Sequence, residues 1–455
     1  MLQKKLLVIN AVGLTEDLIN KYSVHTKEYL SKNRKSYLVA PIPAVTCTSQ
    51  ANMLTGKDPC DHGVVANGWL FRDLSQIMLW RQSNTLVQCE KIWDVIKKRN
   101  PTFTVANMFW WYNMYSTVDF SITPRPIYRS NGAKFPNVYS YPADLTQISQ
   151  AKFGTFPLFS FWGPLTSIKA TDWIAKATVD IIQTKSPSLC LTYLPHLDYN
   201  LQRIGANDPA IAKDVAELDA VIKNLLDCAK ANQYSVMILS EYGIQDVDQP
   251  IHINRTLRSN GYIQPTIELD EEHPDPCASR AFAMADHQIA HIYIKNKADI
   301  SAVKKLVSEL PGVDKVLNTE EQKTLKINHP RSGELVALAK KNAWFTYYYW
   351  LDDKKAPDFA RTVDIHKKPG YDPVELFMVK NGKFKAATSI LKKKLGFRYI
   401  LDIIPLDAQL VKGSHGVPTD LDKDGPLVIL PSSFSSEPKI PMTDIFHLIN
   451  NYFAN

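Results

Sequence analysis

Three stretches of this chain are apolar almost throughout: KLLVINAVGL from Lys5, PSLCLTYLPHLD from Pro187 and YSVMILSEYG from Tyr234. A strand with one wet face alternates apolar and polar residues, so runs without alternation predict strands covered on both faces. DWIAKATVDIIQT and IAKDVAELDAVIKNLLDCAKAN precede the second and third runs, with apolar residues at the three- and four-residue spacing of helices. Strands alternating with helices predict an α/β fold, a three-layer α/β/α sandwich around a mostly parallel sheet. Ligands collect at the carboxyl ends of such strands, which places Asn10, Asp198 and Glu241 on one predicted rim.

The pattern changes between Ile251 and Trp350. There HIYIKNKADISAVKKLVSELPGVDKVL reads as strand, helix and strand, and GELVALAKKNAWF as strands around a turn. The expected organisation is therefore a core of residues 1–250 and 351–455 with a small α+β cap, 251–350, inserted into it. At 455 residues the chain is long enough for a large α/β core with an insertion.

Its net charge of +7 favours small anionic ligands. No basic stripe suits a nucleic-acid polymer, and KKKLGFR, residues 392–398, reads as a solvated helix end. The N-terminal apolar run is too short for a leader and reads as a first buried strand, and no run is long enough for a membrane span. Six cysteines without CxxC pairs suit free thiols in a reducing, cytoplasmic setting. Walker, dinucleotide-binding, HExxH and GxSxG signatures are absent.

PAVTCTSQANMLTG, from Pro43 to Gly56, sets hydroxyls where a loop enters a helix. The positive field of a helix N-terminus suits a phosphate group. On residue type alone Thr46 reads either as a cap or as a nucleophile, with Thr48 or Ser49 as the cap if Thr46 faces the rim. A threonine hydroxyl attacks only when a metal or a base activates it.

That stretch resembles the nucleophile motif of the alkaline-phosphatase superfamily, in its nucleotide pyrophosphatase/phosphodiesterase and phosphonoacetate-hydrolase branch. DHGVVANGW, from Asp61, resembles the segment whose asparagine contacts a phosphate oxygen, and the order of the later elements matches along the chain. The resemblance implies a hydrolase or transferase of phosphate or phosphonate esters. Thr46 would attack phosphorus to form a phospho-threonine, and Asn67 would hold an oxygen. It also implies two zinc ions, held in the branch by aspartates and histidines. Here Val12 stands in the first aspartate slot with Asn10 nearby, Gln202 replaces a histidine, and Glu241 and Tyr242 replace an Asp-His pair. Asp198 and His415 are retained.

Zinc favours imidazole and thiolate, whereas oxygen-rich sets suit Mg²⁺ or Mn²⁺. The ligands at hand thus point to one divalent metal on Asp198, His415 and a third group, with a weaker oxygen-rich second site or none. Gln202, Asn10, Asp364 and His366 are the further candidate ligands, and Glu241 is a ligand or a base. His196, two residues before Asp198, would share a strand face with it. Arg125 (with Arg129) and Tyr242 are candidate substrate contacts. His287 and His291 read as partly exposed cap histidines, and the aromatic runs Ala106–Phe120 and Trp344–Trp350 as core, with a rim-lining role for part of either. The alternatives are a ligand-binding protein that keeps the fold without turnover, or a metal-poor phosphotransferase.

Overall fold

The structure, a computed structural model, describes residues 4–130, 133–394 and 400–454. Residues 395–398 of KKKLGFR lie outside them. Nine strands form the main sheet in the order Lys439–Pro441, Arg34–Val39, Leu427–Leu430, Ser235–Leu239, Leu6–Ala11, Leu189–Leu194, Val105–Met108, Phe120–Pro124 and Val138–Tyr141. Only Leu427–Leu430 and Val138–Tyr141 run against the rest. The central strands Leu6–Ala11 and Leu189–Leu194 are buried at every position, as their unbroken apolar runs require. Helices Ile168–Lys185 and Ile211–Ala231 pack together in one layer, and Thr46–Thr55 packs with Asp444–Ala454 in the other. The fold is a three-layer α/β/α sandwich with a mostly parallel sheet.

Register sets the rim. Asn10 is level with Tyr193 on one neighbouring strand and with Leu239 on the other, so the three strands end together. The chain then turns directly into Glu241 and Tyr242 on one side and into helix His196–Ile204 on the other. The helix beginning at Thr46 closes over the same end, and it stops at Gly56, whose φ of +66° is the left-handed conformation that ends helices.

A second, antiparallel sheet is built from Ala281–Asp286, Ile289–Ile294, Leu335–Ala339 and Val313–Leu317, with helix Ile300–Ser308 against it. Its apolar cluster draws on residues from Val247 to Val411, so much of 351–411 shares that core. The aromatic run Trp344–Trp350 is buried within it, apart from the polar Thr346 that bonds His252.

The C-terminal loop reaches the rim through a close backbone approach. A Cβ at Gly413 would lie 2.0 Å from the carbonyl oxygen of Leu201, on the helix that carries Asp198. Gly413→Ala should therefore lower the urea midpoint by the equivalent of about 1–3 kcal/mol, the usual cost of forced overpacking. An unchanged midpoint would mean that this loop is not seated against the helix.

Candidate active site

Thr46 is the first residue of its helix, and the extended Val45 before it supplies no side-chain cap. Thr48 and Ser49 do not cap either: their hydroxyls go to the carbonyls of Val64 and Glu241. The first-turn N–H of Cys47 instead donates to Asn67 Oδ1 at 3.0 Å. Asn67 is fixed in turn by Asp286, whose carboxylate takes its backbone N–H at 2.7 Å and its Nδ2 at 3.0 Å. One Nδ2 hydrogen remains.

Thr46 Oγ1 lies 3.0 Å from the Tyr242 hydroxyl, which also donates to Asp198 Oδ1 at 3.1 Å. The Tyr242 ring lies flat on the His415 imidazole, with centroids 3.6 Å apart at 7°. His415 Nδ1 faces the Ala44 carbonyl at 2.8 Å, and Nε2 stands 3.8 Å from Asp198 Oδ1. Gln202, one helical turn beyond Asp198, donates Nε2 to Asp198 Oδ2 and accepts from Tyr371. On the other side, Glu241 Oε1 accepts from both Asn10 Nδ2 and Gln50 Nε2 at 2.6 Å.

Burial dominates the electrostatics. It pushes Asp198 up to about 7 even though Tyr242 and Gln202 donate to it. It raises Asp286 to about 7 against the bonds from Asn67, and Glu241 to about 8 against Gln50 and Asn10. It holds His415 neutral, with its pKa down at about 3. Four buried polar atoms here have no hydrogen-bond partner: His415 Nε2, Glu241 Oε2, Asn10 Oδ1 and His287 Nδ1.

These orphans test the cation that the family resemblance implies. An imidazole nitrogen beside a buried carboxylate, His415 with Asp198, fits one divalent ion. Near Glu241 the free atoms are oxygens only, a set for Mg²⁺ or Mn²⁺. A matched zinc pair does not fit, because Tyr242 stands where the second imidazole would be and its hydroxyl is bound to Thr46 and Asp198. Gln202 has both ends of its amide engaged and acts as a strut.

The remaining candidates lie elsewhere. Thr46, Asp198, Tyr242 and His287 line the deep part of a cleft of 2720 Å³, whose walls also include Arg125, Asp364 and His366. Arg125 is exposed, and Asp364 donates its backbone N–H to Glu375. His366 faces the Leu79 carbonyl at 3.4 Å and interacts with Arg81, Asp364 and Lys134. Among the described residues none of the three bonds to the Thr46–Asp198 cluster. Trp80 and Trp111, with ring centroids 4.9 Å apart, add an aromatic wall.

His196 is on a helix, not a strand, so it points away from Asp198. The cap histidines are buried: His291 bonds the Val65 carbonyl, and His287 is wedged between Tyr371 and His415, 3.8 and 3.6 Å from their ring centroids. Sequence reading missed Asp286, Gln50 and Tyr371. The adjacent DHQ at the Asp286–Gln288 turn was the one visible signal for the first of them.

A hydroxyl at a helix N-terminus, over the carboxyl edge of a parallel sheet and opposite buried carboxylates and an imidazole, is the arrangement of the alkaline-phosphatase superfamily. Residues 6–372 match the type I phosphodiesterase / nucleotide pyrophosphatase family, and the chain belongs to that family of phosphodiesterase-type hydrolases. Among solved structures it is similar to an inactive variant of murine ectonucleotide pyrophosphatase / phosphodiesterase 5 in complex with AMP (14% identity, TM-score 0.61, 99% of this chain and 95% of that one). It is also similar to the phosphonoacetate hydrolase of Sinorhizobium meliloti in complex with phosphonoformate (12%, 0.63, 99% and 96%). At such identity the likeness speaks for the fold. No curated protein matches the sequence.

Because Asp198, Asp286 and Glu241 are all raised above the ordinary carboxylate range, the folded state binds their protons more tightly than the unfolded chain. That contribution to stability is complete below about pH 4 and is lost as pH rises through about 7 to 8. Above about pH 7, beyond the range where the buried histidines His62, His291 and His415 gain protons on unfolding, the urea midpoint of chelator-treated protein should fall towards about pH 9, and Glu241→Gln should flatten the fall. A parent midpoint that is flat over this range would contradict the buried, uncompensated carboxylates.

Proposed function

We propose that this protein hydrolyses a phosphate or phosphonate ester, with Thr46 as the nucleophile. Thr46 Oγ1 forms the new bond to phosphorus, the ester P–O bond breaks, and the leaving oxygen departs with a proton. Water then attacks the phospho-threonine and frees Thr46. The observation that carries this reading is the position of Thr46 Oγ1 in the cleft at the first turn of its helix, 3.0 Å from the Tyr242 hydroxyl. The positive end of the Thr46 helix, with Asn67 bound to its first turn and one Asn67 Nδ2 hydrogen unused, would stabilise negative charge developing on phosphorus oxygens.

Glu241 is the residue placed to take the Thr46 proton. Its Oε2 is buried and unpartnered, the Thr46 side chain interacts with the carboxyl group, and once ionised that group can accept a proton. Tyr242 orients the Thr46 hydroxyl through its bond to Asp198. A divalent cation held by Asp198 and His415, zinc by resemblance, would add positive charge beside the transferring group. Phosphorus-containing anions are bound by both similar structures, AMP in one and phosphonoformate in the other. The free cysteines agree with a cytoplasmic setting.

One observation favours the binding-protein alternative: hydrogen-bond donors from Tyr242, Gln202, Asn10 and Gln50 occupy positions around both carboxylates. The two readings separate on aryl phosphate monoesters and diesters and on an aryl phosphonate ester. Turnover of at least one is expected, and Thr46→Ala should reduce it by more than about 10³-fold, the scale on which a lost nucleophile acts. Circular dichroism should show an unchanged fold, and acid-quenched parent should carry the phosphoryl group on the Thr46 peptide. Equal rates for parent and variant would remove Thr46 from the chemistry, and ligand binding without turnover would favour the alternative.

A further inference from the structure

Beneath the helix that carries Asp198 lies a second group of metal-ligating side chains. Helix His196–Ile204 starts within two residues of strand Leu189–Leu194, and its 3.6-residue period turns His196 away from the cleft. The imidazole points instead at helix Ile211–Ala231, where Asp214 and Glu217 lie three residues apart on one face. His196 Nε2 is 3.6 Å from Asp214 Oδ1 and 3.3 Å from Glu217 Oε2. One atom from each residue falls within 4.8 Å of the other two.

The oxygens that face His196 are the ones left over. Asp214 Oδ2 accepts from Asn200 at 2.6 Å, and Glu217 Oε1 faces Lys213 at 3.8 Å. The nearby Arg203 spends its guanidinium on Asn200 Oδ1 and the Leu376 carbonyl. His196 itself is 96% buried by its 4% exposure, yet neither ring nitrogen has a hydrogen-bond partner. An imidazole buried without partners carries a desolvation cost that a ligand would offset. The repulsion between the two converging carboxylates is offset in part by the charges of Lys213 and Arg203 and would be offset further by a cation between them.

We propose that His196, Asp214 and Glu217 form a divalent-metal site, separate from the Thr46 cleft, that pins the first turn of the Asp198 helix to helix Ile211–Ala231. One imidazole nitrogen with two carboxylate oxygens suits Zn²⁺ or Mn²⁺ better than Ca²⁺. Glu217, with its side chain 33% exposed, gives the ion a way in and leaves room for water in the remaining coordination positions. The proposal does not depend on turnover at Thr46.

The test uses the full chain, stripped with chelator and equilibrated with Zn²⁺, with bound metal counted by elemental analysis. Asp198→Asn with His415→Gln removes the cleft's pairing of imidazole with carboxylate, the set there that suits zinc. That double variant should still hold one equivalent of zinc. Adding His196→Gln should weaken this binding by at least about tenfold, the minimum expected even for a residue that only supports a ligand. Glu217→Gln, a partly exposed change, should weaken it similarly if His196→Gln proves unstable. No zinc on the double variant overturns the proposal. So does binding as tight with His196→Gln or Glu217→Gln as without.

Discussion

The hydroxyl of Tyr242 bridges Thr46 and Asp198, and the geometry of the cleft depends on it. Three separate pieces of chain meet at this residue: the helix after Val45, the helix after Pro195 and the loop that presents His415. Each arrives through ordinary α/β construction, since strands ending level at Asn10, Tyr193 and Leu239 deliver their successors to one edge. Level strand ends bring the pieces near one another. The bridging phenol, stacked on the imidazole, fixes their mutual distances.

What surrounds that bridge is an exchange of donors for charge. Where the family resemblance leads one to expect metal-holding histidines this chain has Gln202 and Tyr242, and Asn10 lies two residues before the Val12 that fills the expected aspartate slot. Each brings hydrogen-bond donors to the carboxylates that a cation would otherwise neutralise: Gln202 and Tyr242 to Asp198, and Asn10 with Gln50 to Glu241. The exchange is incomplete. Neutral donors do not restore a buried carboxylate to its ordinary pKa, and Glu241 Oε2 and His415 Nε2 stay unpartnered. Hydrogen-bond donors thus surround both carboxylates, while His415 Nε2 and Glu241 Oε2 are left unpartnered.

The sandwich was legible because a buried parallel sheet leaves a simple trace, unbroken apolar runs between helical periodicities. Thr46 and Asn67 were picked out by one motif in register from Pro43, Asp198 and His415 by separate later matches, and in the structure Tyr242 touches Thr46, Asp198 and His415 together. The failures have two physical causes. His196 was placed by the two-residue period of a strand, but the strand ends at Leu194, and a two-residue step on a helix reverses direction. His287 and His291 read as partly exposed because local pattern cannot show that a turn of the cap is pressed into the cleft. Asp286 was missed for the same reason, since its DHQ turn gives no hint of the asparagine it holds 219 residues away. Asp364 and His366 had suggestive spacing, yet their hydrogen bonds go to Glu375 and the Leu79 carbonyl and not to the Thr46 cluster.

Those failures share one consequence, that the cap is part of the site. Asp286 grips both the backbone and the side chain of Asn67, and Asn67 in turn receives the first-turn N–H of the Thr46 helix. His287, at a φ of +59°, is held in the stack between Tyr371 and His415, and the next residue, Gln288, donates its N–H to the His415 carbonyl. A conformation that few non-glycine residues adopt persists where surrounding contacts over-determine it, and here those contacts come from Tyr371 and His415. Moving the cap would release Asn67, break the aromatic stack and strip His415 of its backbone partner together. The same contacts that hold the 251–350 segment against the main sheet therefore also position Asn67 and His415 beside Thr46.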